Sequence, residues 1–213
     1  MGDSKIEAVI FDLGNVLIDF DHTPAVVKVA KFSDKTPQKI FDLFFDSEAT
    51  GLFEEGKLSG EQFFQRIRET INLKMDYAGF LPIWNDIFFF SDKNRAVYGL
   101  AKAVKRKFKT VLLSNTNAVH FDYVRKKFPV FDAFDHIFTS YELGMRKPQP
   151  AIYEEVIKDI GVTSPANVFY TDDRKELIEG ANQLGIRGFV FKDVAGLKKD
   201  LESVGIDTDE KSA

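Results

Sequence analysis

The stretch AVIFDLGNVLIDF, residues 8–20, places a carboxylate at the end of a short apolar run. The run AVIFDL (8–13) is rich in β-branched and aromatic residues, which is typical of a strand buried on both faces of a parallel sheet. Asp12 is the acid at the end of this run, and Gly14 stands two residues later, where a second acid could have been placed. The stretch therefore predicts a buried strand that carries one carboxylate at its tip.

Further apolar runs and helical patterns alternate along the rest of the chain. Four more runs predict buried strands: TVLLSN (110–115), HIFTS (136–140), NVFYTDD (167–173) and RGFVF (187–191). Four segments between or before them have helical spacing: 91–108, 117–128, 149–161 and 174–185. Ser91 is the expected N-cap of the first helix, and Gly161 and Gly185 are expected to end the last two. This alternation predicts an α/β fold with a layered parallel sheet and right-handed crossovers.

The segment from about residue 20 to residue 90 breaks the alternation. Four of its stretches have the pattern of helices, with no convincing strand between them: TPAVVKVAKF, TPQKIFDLFFD, SGEQFFQRIRETI and DYAGFLPIWNDIFFF. The glycine-rich part of 47–64 is expected to be a turn between helices, and Trp84 is expected to serve packing. We therefore predict an all-helical insertion at 20–90, with 1–19 and 91–213 forming the core.

Composition excludes several classes of function. The chain has 213 residues and a net charge of -4, so neither nucleic acid nor an anionic membrane surface is an expected partner. It has no cysteine, which excludes disulfides, thiolate zinc sites and thiol nucleophiles. Neither a signal peptide nor a membrane span is visible. We expect a cytoplasmic protein, as a monomer or weak dimer, that binds a small molecule.

Polar side chains follow four of the predicted strands. In strand order they are Asp12, then Ser114 and Asn115, then Lys147, and finally Asp172 and Asp173. Ligands of open parallel sheets bind outside the carboxyl ends of the strands, so these side chains are expected to converge. Carboxylates, an ammonium group and hydrogen-bond donors together fit a metal-assisted reaction on a phosphate.

The acids have distinct expected roles. Asp12 is the candidate nucleophile, because carboxylates form covalent phosphoryl intermediates. A phosphate dianion repels a carboxylate, so a divalent cation must lie between them. Asp12 and Asp173 are expected to supply oxygen ligands to Mg²⁺, with the backbone carbonyl of Gly14 as a further ligand.

The remaining polar groups would act on the phosphate. Lys147 would pair with the nucleophile and the phosphate oxygens, and Ser114 and Asn115 would donate hydrogen bonds to the transferring group. Each feature also has an ordinary structural interpretation, as a turn, a helix cap or a solvated acid pair. The order and spacing of all four together favour the site.

Four segments carry a resemblance to a known family. In order they are IFDLGNVLID, LLSNTN, LGMRKPQPAIY and VFYTDDRKELIEGANQLGI. They resemble the four motifs of the haloacid dehalogenase-like (HAD) hydrolase superfamily and are most similar to its branch of α-D-glucose-1-phosphate phosphatase-like sugar phosphatases. The resemblance implies a Rossmann-like core with a helical cap inserted after the first motif. It also implies a phosphatase that uses Mg²⁺ and an aspartyl-phosphate intermediate on a small phosphorylated metabolite.

By motif, the resemblance assigns a role to each candidate residue. It implies that Asp12 is the nucleophile and that Ser114 and Asn115 bind phosphate. It further implies that Lys147 is the motif cation and that Asp173, with Asp172, lies at Mg²⁺.

The sequence departs from the family pattern at two positions. Gly14 replaces an aspartate that usually acts as general acid and base, although the glucose-1-phosphatase-like branch also reads DLGNV. We therefore expect a leaving group that departs easily, as in sugar 1-phosphates, acyl phosphates or aryl phosphates. Asp19, Asp21 and His22 lie just downstream as alternative proton donors. Leu177 stands where a polar residue often follows the metal-binding aspartate.

Two other functions stay open at the level of sequence. A metal-independent, haloacid dehalogenase-type hydrolase would use Asp12 to attack carbon, but the pair Asp172–Asp173 would repel a haloacid carboxylate. A catalytically weak protein that binds phosphate ligands is the second alternative, supported by Gly14 and Leu177. Sensitivity to EDTA separates the first alternative from a metal-dependent phosphatase.

Overall fold

The computed structural model describes residues 5–45 and 47–208. Within them, the strands are β1 (Ala8–Phe11), β2 (Asp19–Phe20), β3 (Phe88–Phe89), β4 (Lys109–Ser114), β5 (His136–Thr139), β6 (Val168–Asp172) and β7 (Arg187–Val190). Five of them form one sheet in the order β5–β4–β1–β6–β7, and each neighbouring pair is parallel. The predicted strands and the α/β fold class are thus confirmed.

Eleven α-helices complete the described part of the chain. They are α1 (Thr23–Ala30), α2 (Pro37–Phe45), α3 (Glu48–Glu54), α4 (Gly60–Thr70), α5 (Tyr77–Asn85), α6 (Asp92–Lys105), α7 (Ala118–Lys127), α8 (Ser140–Leu143), α9 (Pro150–Asp159), α10 (Lys175–Gln183) and α11 (Val194–Ser203). None of these helices is both long and apolar enough to cross a membrane.

The sheet is buried on both faces, which explains the continuous apolar runs in its strands. Along β1, Val9 and Phe11 enter the apolar core on one face, and Ala8 and Ile10 enter the core on the other. Helices α6, α7 and α11 cover the first face, and α9 and α10 cover the second. This three-layer arrangement leaves the carboxyl ends of the strands free to carry polar groups.

Ser91, Gly161 and Gly185 lie at helix ends in the core, as predicted. The Ser91 side chain accepts a hydrogen bond from the Asn94 backbone, and the two residues form a capping box at the start of α6. Gly161 and Gly185 follow the ends of α9 and α10 with φ of 66° and 85°, a left-handed conformation that favours glycine.

An all-helical cap lies between β2 and β3, as predicted. Helices α1, α2, α4 and α5 match the four predicted patterns. Together with α3 they bury one apolar core, half of whose buried side chains are aromatic: Phe44, Phe53, Phe63, Phe64, Phe80 and Trp84. The high phenylalanine content therefore serves packing. The division into residues 1–19, 20–90 and 91–213 stays a prediction, and its residues 1–4, 46 and 209–213 lie outside the described residues.

Helix α3 corrects part of the prediction for 47–64: the turn between helices lies at 55–59, where Gly56 has a φ of 66°, but residues 48–54 are helical. Its glycine, Gly51, is buried within the helix, and a Cβ there would lie 3.0 Å from Arg146 Nη2. The glycine makes room for a guanidinium group of the core instead of breaking the helix. Composition alone suggested a turn because this contact partner is distant in sequence.

The ribbon of β2 and β3 is a second correction. The prediction extended a helix through FFF at 88–90, but α5 ends at Asn85 and Phe88–Phe89 pair with Asp19–Phe20 in antiparallel fashion. Strands of two residues are too short to show a period of two in sequence. This ribbon joins the two chain crossings between core and cap.

Candidate active site

The predicted site residues line one cavity of about 390 Å³ at the carboxyl ends of β1, β4 and β6. From the core they are Asp12, Gly14, Ser114, Asn115, Lys147, Asp172 and Asp173. Residues of the cap complete the wall. A cavity of this size is in the range that holds a small metabolite.

Lys147 links two of the acids. Its Nζ lies 2.7 Å from Asp12 Oδ1 and 2.6 Å from Asp172 Oδ2, and it also donates to the Leu113 carbonyl at 2.9 Å. An ammonium group has three protons, and each of them has a partner here. Because the side chain is buried, these partners are what make its charge tolerable.

The ionisation of this cluster follows from burial and from unequal pairing. Burial raises the pKa of Asp12 to about 7, although Lys147 opposes the shift and Asp172 adds to it. For Asp172, burial acts in the same direction, but the ammonium and its hydrogen bonds outweigh it and the pKa is lowered. The pKa of Lys147 is raised against the effect of burial by the two carboxylates. The single positive charge of Lys147 therefore does not neutralise Asp12 and Asp172 when both are ionised.

Asp173 completes a cluster of three carboxylates. Each of these acids, Asp12, Asp172 and Asp173, has a carboxylate oxygen within 4.8 Å of a carboxylate oxygen of the other two. Burial raises the pKa of Asp173, and its Oδ2 accepts a hydrogen bond from Asn15 Nδ2 at 3.0 Å. Carboxyl oxygens this close together, two of them on buried residues, suit a hard divalent cation.

Asn15 and Lys93 were not among the predicted site residues. Asn15 has a φ of 55°, a left-handed conformation that asparagine tolerates, and this aims its amide at Asp173. Its carbonyl accepts from Lys93 Nζ at 2.7 Å. Its place within the first motif was the only signal for Asn15, and nothing in the sequence marked Lys93.

Ser114 and Asn115 end β4, but they differ in their contacts. Ser114 is buried in the cavity wall. Asn115 uses its amide to hold the backbone of Lys147: Nδ2 donates to the Lys147 carbonyl and Oδ1 accepts from the Lys147 N–H, both at 2.9 Å. The Asn115 side chain thus fixes the loop that delivers the lysine, and its predicted contact with phosphate stays a prediction.

Phe20 lies beside Gly14. A Cβ at residue 14 would be 2.9 Å from Phe20 Cε1 and 3.8 Å from Asp12 Oδ2. Phe20 also packs edge-on against His22, with ring centroids 5.1 Å apart. An aromatic ring thus occupies the space that a longer side chain at position 14 would need.

The structure separates the three alternative proton donors. Asp19 is tied to the cap–core crossing by Lys93 Nζ at 2.5 Å and by Ser91 Oγ at 2.7 Å. Asp21 is exposed and accepts from the Thr23 N–H at 2.8 Å. Of the three, His22 is the one that lines the cavity.

The second departure from the family pattern is also visible. Leu177 is buried and lines the cavity as an apolar side chain. Nearby, the Arg174 side chain pairs with Glu176, with Nε and Oε1 2.7 Å apart. Glu176 is therefore engaged with Arg174, and the Arg174 side chain is the one of the two that lines the cavity.

Comparison with known proteins identifies the family. A family model for haloacid dehalogenase-like hydrolases matches residues 6–185, so the chain belongs to this family. The D-ribitol-5-phosphate phosphatase of Bacteroides thetaiotaomicron is 28% identical over 205 residues, covering 92% of this chain and 97% of that protein. A sesquiterpene phosphatase of Aspergillus oryzae is 28% identical over 191 residues, covering 89% and 92%.

A solved structure is similar in both sequence and fold. It is the crystal structure of a wild-type HAD family enzyme of Bacteroides thetaiotaomicron in complex with magnesium and inorganic phosphate. Its TM-score is 0.75 at 28% sequence identity, and the match covers 88% of this chain and 94% of that chain. The parallel sheet with its inserted helical cap is thus the architecture of a HAD family enzyme.

Proposed function

We propose that this chain is a Mg²⁺-dependent phosphomonoester hydrolase that acts on a small phosphorylated metabolite. The observation that carries the proposal is the group of three carboxylates within 4.8 Å of one another, with Lys147 bridging Asp12 and Asp172. Similarity to named phosphatases of the same family supports it.

In this proposal Asp12 is the nucleophile. Lys147 holds its Oδ1, whereas Oδ2 receives no hydrogen bond from the described residues. A carboxylate oxygen of Asp12 bonds to phosphorus while the bond from phosphorus to the leaving oxygen breaks. Water then attacks the phosphorus of this aspartyl phosphate, which releases inorganic phosphate and restores Asp12.

The donor set fits Mg²⁺, which needs only one or two carboxylates beside water. Asp12 and Asp173, with the Gly14 carbonyl, would hold the ion. Asp172 is the third acid of the cluster, but both of its oxygens already accept hydrogen bonds, Oδ1 from the Arg174 N–H and Oδ2 from Lys147 and Tyr170. When bound, the ion supplies positive charge between Asp12 and the phosphoryl oxygens.

We further propose that the substrate is a sugar phosphate, with sugar 1-phosphates favoured. The space beside Asp12 holds Gly14 and the Phe20 ring, so no carboxyl group at position 14 can protonate the leaving oxygen. General acid catalysis is worth about 10²–10⁴ in rate. Its loss matters least for the anomeric oxygen of a sugar, which is more acidic than an ordinary alcohol oxygen.

The two alternative functions make different predictions. A metal-independent, dehalogenase-type enzyme would keep its activity in EDTA, but the acid cluster would repel a haloacid carboxylate. A catalytically weak binding protein would be stabilised by phosphorylated ligands and would release no product.

The deciding experiment is an assay of phosphate release from a panel of phosphorylated metabolites with Mg²⁺ and with EDTA. We expect turnover only with the metal, and none in Asp12→Asn. Asp159→Asn, at an exposed position on α9, is the matched control and should behave as the wild type. Undiminished turnover by Asp12→Asn would contradict the assignment of Asp12 as the nucleophile. Turnover in EDTA would contradict the requirement for a metal ion.

A further inference from the structure

The Asn15 backbone is held in an unusual conformation beside the acid cluster. Asn15 lines the active-site cavity, and its φ of 55° is a left-handed conformation that residues other than glycine rarely adopt. Both peptide groups that flank it are hydrogen-bonded: its N–H donates to the Ile18 carbonyl at 2.8 Å, and its carbonyl accepts from Lys93 Nζ at 2.7 Å. Such a conformation persists only where the surrounding structure holds it, and it recurs at functional sites.

Two of the groups proposed above to hold Mg²⁺, the Asp173 carboxylate and the Gly14 carbonyl, depend on this conformation. The Asn15 amide donates to Asp173 Oδ2 at 3.0 Å and so orients that carboxylate. The Gly14 carbonyl belongs to the same planar peptide group as the Asn15 N–H, so the hydrogen bond to Ile18 also fixes the direction of that carbonyl. A change in the Asn15 backbone would therefore disturb both candidate ligands together.

Lys93 is itself held in place by the junction between core and cap. Its Nζ lies 2.5 Å from Asp19 Oδ1, and both side chains are partly buried. Asp19 also accepts from Ser91 Oγ at 2.7 Å and from Asn94 Nδ2 at 3.2 Å, so donors from the start of α6 surround its carboxylate. Lys93 lies outside the cavity lining, and its contact with the metal site runs through the Asn15 carbonyl.

We propose that Asn15 and Lys93 are positioning residues for the Mg²⁺ site. Lys93 holds the Asn15 backbone in its left-handed conformation, and Asn15 in turn orients both candidate ligands. The proposal rests on the phosphatase function proposed above and specifies how this chain builds the metal site of that function. Groups that orient metal ligands through hydrogen bonds typically contribute about 10–100-fold to metal affinity, so the effect is large enough to measure.

The charge of Lys93 alone would have the opposite effect on Mg²⁺ binding. An ammonium group repels a divalent cation, so removing its charge should strengthen Mg²⁺ binding if the two interact only through space. Removing the hydrogen bond from Lys93 to the Asn15 carbonyl should instead weaken Mg²⁺ binding if Lys93 positions the ligands. The direction of the change in Mg²⁺ affinity therefore separates positioning from simple electrostatics.

Lys93→Met is the first test, because it keeps most of the side-chain volume and removes the ammonium group. Calorimetric titration with MgCl₂ alone should give a Kd about fivefold higher than in the wild type. Lys102→Met removes an exposed lysine from the same helix and is the matched control, with an unchanged Kd expected. Lys93→Arg keeps the charge and hydrogen-bond donors and should retain most of the affinity. An unchanged or lower Kd in Lys93→Met would overturn the positioning role.

Asn15→Gly is the second test, and it does not depend on whether Lys93→Met folds. Glycine adopts the left-handed backbone without strain and removes the amide donor, so the Kd for Mg²⁺ should rise about tenfold. In the double variant the two losses of binding free energy should be less than additive, because Lys93 acts through Asn15. A wild-type Kd in Asn15→Gly, or fully additive losses in the double variant, would overturn the proposal.

Measuring Mg²⁺ affinity keeps this test separate from turnover. A wild type that binds Mg²⁺, loses affinity in both single variants and hydrolyses no phosphorylated metabolite would support the positioning role and count against the phosphatase function. Turnover that requires Mg²⁺, together with an unchanged Kd in both variants, would support the function and overturn the positioning role. A wild type that binds no Mg²⁺ would overturn both the positioning role and the metal requirement.

Discussion

The ring of Phe20 and a side chain at position 14 exclude one another. A Cβ on Gly14 would lie 2.9 Å from Phe20 Cε1, which is closer than carbon atoms approach without displacement. Phe20 is held in turn by Phe88, with ring centroids 6.2 Å apart, on the partner strand of the ribbon. The absence of a second acid is therefore built into the junction between core and cap and is not a single-residue change.

The first prediction concerns restoring that acid. Gly14→Asp alone should lower kcat, because the new side chain must displace Phe20, and overpacking of this kind costs about 1–3 kcal/mol of unfolding free energy. Adding Phe20→Ala should recover part of the lost kcat and part of the lost unfolding free energy. Urea unfolding and steady-state kinetics of the two single variants and the double variant measure the coupling.

If the effects of Gly14→Asp and Phe20→Ala on kcat and on the unfolding free energy simply add, the two side chains do not compete for the same space. Phe41→Ala is a control for loss of a phenylalanine elsewhere in the cap, since Phe41 is partly exposed on α2. Combined with Gly14→Asp, it should give no recovery.

The second prediction concerns the leaving group. With no acid at position 14, the rate should depend strongly on how well the leaving oxygen bears negative charge. We expect kcat/KM to be higher for a sugar 1-phosphate than for the matching 6-phosphate, by about tenfold or more given the usual worth of a general acid. A series of substituted phenyl phosphates should likewise react faster as the phenol becomes more acidic. A clear preference for the 6-phosphate would refute this account of Gly14.

The parts of the molecule that sequence could predict are those in which local pattern and burial agree. Residues 8–11 form β1, which is buried on both faces, and such a strand appears in the sequence as an apolar run. Asp12, Lys147 and Asp173 come together because parallel strands bring their carboxyl ends to one edge. Their convergence required only the order of the elements.

What sequence could not predict depends on contacts between distant segments. Arg146 fills the space beside Gly51 in α3, and the Phe20 ring fills the space beside Gly14. Asn115 holds the Lys147 backbone across a separation of 32 residues. None of these contacts leaves a periodic signal in the chain.

The third prediction concerns the metal. Three neighbouring carboxylates repel one another, and a bound cation should relieve that repulsion. Mg²⁺ at about 100 times its Kd should add about 2.7 kcal/mol to the unfolding free energy. Thermal unfolding with Mg²⁺ and with EDTA measures the shift, which Asp173→Asn should reduce strongly and the exposed Asp159→Asn should leave intact. An unreduced shift in Asp173→Asn would mean that the stabilising ion binds elsewhere.

The last prediction concerns the acid stability of the cap–core contact. Burial lowers the pKa of His120 from 6.5 to about 3, and both of its ring nitrogens are engaged in the neutral form. Between these two pKa values the unfolded chain binds a proton at this residue and the folded chain does not. The unfolding free energy should therefore fall as pH drops below 6.5, by up to about 1.4 kcal/mol per pH unit from this residue.

His120→Gln should remove this contribution and flatten the dependence of stability on pH. Urea unfolding in EDTA between about pH 6.5 and pH 5, where an unfolded histidine gains its proton, measures the slope. Phe88→Leu is the matched control, because Phe88 packs against the same imidazole, with ring centroids 4.9 Å apart, and brings no titratable group. It should lower stability at every pH and keep the wild-type slope. His22, whose pKa burial lowers to about 4, should account for a second, similar contribution that remains in His120→Gln. An unchanged slope in His120→Gln would show that this imidazole is already protonated in the folded protein, which its contacts with Asn117 and Trp84 argue against.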